Sequence, residues 1–388
     1  MSTSSAERPA YRSEWISAIQ AALVLTIGMG FGRFAFTAIY PHMVNEGVLS
    51  LRGGSLAASA NYAGYLVGAL LAVRLRAHKA HWFCQLSILG TALCLAVLAL
   101  LTSTWTIVAV RGVAGLFSAL SMVAASLWLL EHRGHSWGAP LLYAGVGVGI
   151  AVSAELLVLA EASGLDSAGM WLMLGIATLM IGLMAAPAFL TGDRGEVAVE
   201  GLREMAPSNA DTAIVAAWPL VLIYGLAGLG YIVTATYLPT LVKTAFPDLN
   251  PAHVWAVFGL GAAPSCYLWH RAHERLGTRH ALRLNLIVQA CGVALPVVFD
   301  SGAGYLLSAL LVGSTFMGTV TIAMPAAQHA ARQSGVNLLA TMTLAYGIGQ
   351  IIGPLLADGL YALSQTFNSS LLSAAAALVI ATFISLRL

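Results

Sequence analysis

Long apolar runs separated by short polar segments make up most of the sequence. A membrane-spanning helix needs about 20 mostly apolar residues, and twelve stretches reach that length. The pattern therefore predicts an all-α membrane protein with 12 transmembrane helices. The predicted spans are centred near Ile27, Ala63, Thr91, Phe117, Gly149, Leu179, Gly228, Leu260, Ile287, Val312, Gly347 and Leu378.

The composition excludes a water-soluble protein. Of the 388 residues, 59% are hydrophobic and 9% are charged, whereas soluble domains carry about 25% charged residues. The 39 glycines suit closely packed membrane helices. The net charge of +2 gives no signature of nucleic-acid binding. We therefore expect most of the surface to contact the lipid bilayer. We expect no binding to nucleic acid.

The basic residues in the loops predict the orientation. With the N-terminus in the cytoplasm, 14 of the 18 Lys and Arg residues fall on the cytoplasmic side and 2 fall outside. Cytoplasmic loops are enriched in Lys and Arg, so this orientation is favoured over its reverse. An even number of spans then places both termini in the cytoplasm. We expect an integral protein of a bacterial inner (plasma) membrane.

A polar interval near the middle divides the chain. We predict an N-terminal six-helix half at 1–190, a cytoplasmic linker at 191–212 and a C-terminal six-helix half at 213–388. Equivalent spans of the two halves share residues at offsets of 198 to 203, which indicates an internal duplication. The matching pairs are Gly30 with Gly228, Gly32 with Gly230, Pro41 with Pro239, Gly145 with Gly347, Gly147 with Gly349 and Gly115 with Gly318.

Three segments carry a resemblance to a known family: GFGRFAF at 30–36, SANYAGYLVGAL at 59–70 and YGIGQIIGPLLAD at 346–358. Through them the chain resembles the major facilitator superfamily over nearly its whole length, and within it the YbfB-type branch. The resemblance implies a major facilitator fold, secondary transport by alternating access, a substrate site between the halves and a monomer.

Two further motifs of this superfamily can be placed. Arg111 in RGVAG is similar to the arginine motif of the fourth span. HERLGTRHAL at 273–282 is similar to the acid–base loop on the cytoplasmic side, which implies a gating role for Glu274, Arg275 and Arg279. The equivalent loop between spans two and three, RLRAHKAH, has no acidic residue. Any latch between the halves therefore rests mainly on the loop that carries Glu274, or uses hydrogen bonds from histidine and arginine to backbone carbonyl groups.

Three charged residues lie well inside predicted spans: Arg33, Arg111 and Glu155. Counting along each helix places all three roughly 9 Å to the outer side of the midplane, so we expect them to meet. One interpretation is a structural Arg–Glu pair with the second arginine on backbone carbonyls. The other is a spare positive charge that binds a small anion, with Glu155 as the protonation site that couples transport to the proton gradient.

Polar residues near the centres of other spans complete the candidate site. Asn61 and Tyr65 share a helix face, as do Tyr346 and Gln350, and Tyr231 takes the place in span seven that Arg33 has in span one. Asn61 is either a substrate contact or a hydrogen bond between helices. The predicted substrate-binding residues are Arg33, Arg111, Asn61, Tyr65, Tyr231, Tyr346 and Gln350.

The leading interpretation is a secondary active transporter of a small organic solute, anionic or zwitterionic, coupled to protons. A multidrug-type exporter of neutral compounds and a transporter-like receptor that moves nothing remain alternatives. An intramembrane enzyme is disfavoured, because the spans show no catalytic cluster of His and acidic residues. We expect no cofactor and no metal, and a small molecule as the ligand.

Overall fold

A computed structural model describes residues 7–135, 138–190, 217–246, 249–334 and 338–388. Within these ranges all regular structure is helical and no strand is present, so the predicted all-α fold is confirmed. The linker predicted at 191–212 lies outside the described residues.

The first half of the chain begins with one continuous helical rod that includes a π-helical segment. This rod consists of α1 (Glu7–Leu25), π1 (Thr26–Phe34) and α2 (Ala35–Asn45). The remaining helices of this half are α3 (Leu51–Ala72), α4 (Ala80–Leu98), α5 (Thr104–Ser126) with π2 (Leu127–His132), α6 (Ala139–Ala162) and α7 (Ser167–Leu190). The second half contains α8 (Ala217–Ala245), α9 (Pro251–Val298), α10 (Gly302–Ser334), α11 (Leu338–Ser364) and α12 (Asn368–Ile384).

Ten helices of the described part are long and apolar enough to cross a membrane. Many of their large apolar side chains face outwards, such as Leu71, Leu93 and Leu183, which are 63%, 65% and 73% exposed. A surface of this kind is stable in lipid and unstable in water. The chain is therefore an integral membrane protein.

Helix α9 bears on the number of spans. It has 48 residues and a non-helical backbone at Gly277, with φ 72° and ψ 168°. At 1.5 Å per residue it is roughly 72 Å long, which is more than twice the roughly 30 Å thickness of the hydrocarbon core. The ten helices above do not include α11, which has 27 residues. The count of twelve spans therefore holds if α9 crosses twice, with its turn at Gly277, and α11 crosses once. That count remains a prediction.

The two halves use glycine in the same way at equivalent helix pairs. In the first half, a Cβ on Gly30 would lie 2.4 Å from the carbonyl carbon of Gly149, where π1 packs on α6. In the second half, a Cβ on Gly349 would lie 2.3 Å from the carbonyl oxygen of Gly225, where α11 packs on α8. Only glycine permits such close approach of two backbones. The shared packing agrees with the internal repeat in the sequence.

Several polar contacts join the two halves, and one group of them involves Glu161 near the end of α6. Lys243 forms an ion pair with Glu161 at 3.6 Å, and Asn250 Nδ2 donates to Glu161 Oε2 at 2.8 Å. Nearby, Thr37 Oγ1 donates to the Ala235 carbonyl at 2.8 Å. We call the end that carries Glu161, Lys243 and Asn250 the bridged end. In the predicted orientation it faces the outside of the cell.

Candidate functional site

The π1 segment is the irregular element on which the site is built. All nine of its residues, Thr26–Phe34, are buried. π-helical turns are rare and are frequently found at functional sites. They change the hydrogen bonding of the helix, and here side chains from other helices bind the carbonyl groups at the end of the segment.

Arg111 of α5 holds two of these carbonyl groups. Its Nη1 donates to the Gly32 oxygen at 2.8 Å and its Nη2 to the Arg33 oxygen at 3.0 Å. The Phe34 oxygen accepts from Trp255 Nε1 of α9 at 3.1 Å. Three consecutive carbonyl groups are therefore held by side chains, one of which comes from the second half of the chain. This arrangement fixes the position of the Arg33 Cα.

The guanidinium of Arg33 lies in a box of aromatic rings. Its Cζ is 4.1 Å from the centre of the Tyr65 ring, 5.0 Å from that of Tyr62 and 5.2 Å from that of Phe34. Arg33 is only 3% exposed. Its Nε and Nη2 have no hydrogen-bond partner among the described residues. The rings stabilise the cation through its faces, while its edge remains available to a hydrogen-bond acceptor.

The second half supplies an aromatic and amide wall. The Tyr231 ring stacks on Phe316 at 5.2 Å and on Tyr346 at 5.9 Å between centroids. Gln350 Nε2 donates to the Tyr231 hydroxyl, while no described residue donates to Gln350 Oε1, which is buried. Phe34 contacts Phe316 edge-on at 6.0 Å, so this wall adjoins the helix that carries Arg33.

Arg111 and Asn61 are placed differently from Arg33. Arg111 is 1% exposed, bound to the π1 carbonyl groups, and its Cζ is 4.5 Å from the centre of the Phe36 ring. Asn61 Nδ2 donates to the Arg111 carbonyl at 2.9 Å, which joins α3 to α5. The geometry therefore gives both residues hydrogen bonds between helices. Tyr65, on the same face of α3, is the residue that contacts Arg33.

Glu155 does not join the two arginines. Its Oε1 is 2.9 Å from His253 Nδ1, and the two side chains are 52% and 49% exposed. No ion pair joins Glu155 to Arg33 or Arg111 within the described ranges. The three charges expected to meet are thus placed apart: Arg111 contacts the backbone of Arg33, and Glu155 contacts His253. Counting residues along a helix gives the depth of a side chain in the membrane but not the direction in which it points around the helix. Glu155 points towards the second half of the chain, where it contacts His253.

Comparison with known proteins identifies the family. Residues 25–386 match the family described as "Uncharacterised MFS-type transporter YbfB". The chain belongs to this family of major facilitator transporters. A solved structure with the same fold is that of a bacterial homologue of the human lysosomal transporter Spinster, in an inward-facing and occupied conformation. It is 13% identical, the match covers 97% of this chain and 96% of that one, and the TM-score is 0.66. No curated protein matches the sequence.

The family assignment confirms the resemblance seen in the sequence and makes the protein a transporter rather than an enzyme. At 13% identity, the likeness to the Spinster homologue carries the fold alone.

The predicted gating residues of this MFS transporter lie at the break in α9. Glu274 pairs with His270 at 3.4 Å, one turn earlier on the same helix. Arg275 and Arg279 are exposed. Glu274 therefore has its ion-pair partner on its own helix, and a gating role for the three residues remains a prediction.

Sequence reasoning missed several residues of the site. Tyr62 lies three positions before Tyr65, so helical spacing could have placed both on the face that meets Arg33. Phe316 and Trp255 carried no such signal, since apolar aromatic residues are common in every span. His253 lies in the first turn of α9, and only the folded structure brings it to Glu155.

Proposed function

We propose that this protein is a secondary active transporter that carries a small organic anion or zwitterion across the inner membrane by alternating access. The observation that carries the proposal is the buried guanidinium of Arg33, whose Nε and Nη2 lack a hydrogen-bond partner in the described part of the chain. Burying an unpaired charge costs several kcal/mol. A bound anion removes that cost, because it supplies the missing acceptor and the opposite charge.

The arrangement of the two halves supports alternating access between them. Arg33 belongs to the first half, and Tyr231, Tyr346 and Gln350 belong to the second. A solute that contacts both walls interacts differently with open and closed arrangements of the halves. Such a difference in interaction is what allows a ligand to shift a conformational equilibrium. The polar contacts at the bridged end support a state in which that end is closed.

We propose that Glu155 couples transport to protons through its contact with His253. The two side chains belong to different halves, and each is about half exposed. Glu155 Oε1 lies 2.9 Å from His253 Nδ1. Protonation of Glu155 removes its negative charge and weakens its attraction to a protonated imidazole. Opening of the bridged end then becomes easier, which links proton uptake to movement of the halves.

The proposal is tested with purified protein in lipid vesicles. Labelled organic anions are expected to exchange across the membrane, and Arg33→Gln is expected to abolish the exchange. Counterflow of the label distinguishes a transporter from a receptor that moves nothing. If neutral compounds are carried and anions are not, the aromatic walls act without Arg33 and a multidrug-type exporter is the better assignment.

Coupling is tested separately with an imposed proton gradient. Glu155→Gln is expected to abolish gradient-driven accumulation and to retain exchange. Glu161→Gln is the matched control, because Glu161 also lies at the bridged end but pairs with Lys243 and Asn250. Gradient-driven accumulation that survives in Glu155→Gln overturns the coupling and leaves the anion transporter standing.

A further inference from the structure

The unpartnered atoms of Arg33 restrict the chemistry of the ligand further than the positive charge of Arg33 does alone. The rings of Tyr65, Tyr62 and Phe34 lie 4.1 to 5.2 Å from its Cζ. The atoms without partners in the described structure are Nε and Nη2. These two N–H groups point in parallel from one edge of the planar guanidinium. A carboxylate matches this edge with both of its oxygens.

A second unpartnered group belongs to the aromatic and amide wall of the second half, which adjoins the helix of Arg33 through the Phe34–Phe316 contact, and it is a hydrogen-bond acceptor. Gln350 is 2% exposed, its Nε2 donates to Tyr231, and its Oε1 receives no hydrogen bond from the described residues. A buried carbonyl oxygen without a donor destabilises the protein. A ligand that donates an O–H or N–H group to this oxygen removes that destabilisation.

The charges near the site distinguish between two kinds of donor. Arg111 lies beside Arg33, since its Nη2 is 3.0 Å from the Arg33 carbonyl oxygen, so two cations already share this region. Glu155, the acidic residue predicted to join them, pairs with His253 instead. An ammonium group on the ligand would add a third positive charge to a buried region. A neutral hydroxyl group supplies the donor without that repulsion.

We propose that the ligand is a monocarboxylate with a neutral hydrogen-bond donor, of the hydroxy-acid class. The carboxylate binds the Nε–Nη2 edge of Arg33, and the hydroxyl group donates to Gln350 Oε1. This inference rests on the proposed function and defines the substrate class of the same site. It treats Gln350 as the residue that distinguishes hydroxy acids from plain acids.

The test uses matched probes on purified protein, with thermal unfolding as the measurement of binding. One series is lactate, propionate, lactamide and alanine, and a larger one is mandelate, phenylacetate, mandelamide and phenylglycine. In each series the first probe is the hydroxy acid. The second lacks its hydroxyl group, the third lacks its negative charge, and the fourth has an ammonium group in place of the hydroxyl group. A ligand that binds only the folded protein raises its melting temperature. We expect the hydroxy acid of at least one series to bind tightest, by roughly three- to tenfold over the plain acid.

Two variants test the two proposed contacts, that of the carboxylate with Arg33 and that of the hydroxyl group with Gln350. Arg33→Lys keeps the charge and loses the paired edge, and it is expected to weaken hydroxy-acid binding by about 10- to 100-fold. Gln350→Met removes the acceptor and is expected to bring the hydroxy acid and the plain acid to the same affinity. Gln289→Met is the control, because Gln289 is another buried glutamine, on α9, where its neighbour Asn285 bonds to α10. It is expected to leave the preference unchanged.

The outcomes separate the inference from the proposed function. Equal binding of plain and hydroxy acids, or tighter binding of the amino acids, overturns the inference and leaves an anion or zwitterion transporter in place. Stabilisation by the neutral amides alone overturns both. The absence of any response to the carboxylates of both series also overturns the inference. A hydroxy-acid preference that Gln350→Met abolishes and Gln289→Met retains supports it.

Discussion

Arg111 donates hydrogen bonds to the carbonyl oxygens of Gly32 and Arg33 at 2.8 and 3.0 Å, whereas no described residue accepts one from Nε or Nη2 of Arg33. Both arginines are buried, at 1% and 3% exposure. One therefore holds the backbone that presents the other. The two arginines therefore differ in their contacts, and the ligand-binding role proposed above applies to Arg33 alone.

This difference predicts opposite effects on stability. Arg111→Met leaves two buried carbonyl groups without donors, and we expect it to lower the free energy of unfolding by about 2 kcal/mol or more. Arg33→Met breaks no hydrogen bond to a described residue and removes an unpaired buried charge. We therefore expect an unchanged or higher melting temperature without ligand. Thermal unfolding in detergent measures both, and equal destabilisation of the two variants would contradict the assignment.

The Tyr65 ring is expected to position the Arg33 guanidinium. Its centre is 4.1 Å from Arg33 Cζ, and such contacts contribute roughly 0.5–2 kcal/mol. Tyr65→Leu should therefore weaken binding of the hydroxy acid that binds tightest to the unmodified protein about threefold or more, while Tyr65→Phe, which keeps the ring, should retain it. Binding measured by the ligand-induced shift in melting temperature checks this. Equal weakening by both variants would indicate that the hydroxyl group is the important part of Tyr65.

Close packing of α6 on α9 is expected to depend on Gly147. A Cβ at this position would lie 2.2 Å from the Ala263 nitrogen, so Gly147→Ala must push the two helices apart. We expect a loss of about 1–3 kcal/mol, measured by thermal unfolding. Gly359→Ala on α11 is the control, because no atom lies within 4 Å of the added Cβ. A Gly147→Ala variant as stable as Gly359→Ala would be evidence against close contact of these helices.

The predicted double crossing of α9 has a direct chemical test. Single cysteines replace Arg279, near the break at Gly277, and Ser301, beyond the end of α9, in a variant without native cysteines. If α9 crosses twice, a membrane-impermeant maleimide added to intact cells labels Ser301→Cys, and Arg279→Cys reacts only after permeabilisation. Labelling of both from the same side would contradict twelve spans and the predicted orientation.

The sequence by itself determined the fold class, the membrane location and the family. Each of these depends on features that are local or cumulative along the chain. Length and hydropathy define membrane helices because a helix satisfies its own backbone hydrogen bonds in lipid. The segments around Arg33, Asn61 and Gln350 carried the resemblance to the family. The match of the family model to residues 25–386 confirmed it.

The tertiary structure decided which polar residues face one another. Depth in the membrane follows from counting residues, and on that basis Arg33, Arg111 and Glu155 appeared equivalent. The azimuth of each side chain depends on how its helix is rotated and packed, and in π1 also on a wider helical turn. Packing therefore directs Arg111 to backbone carbonyl groups, Glu155 to His253 and Arg33 into a ring of aromatic side chains with its edge unoccupied.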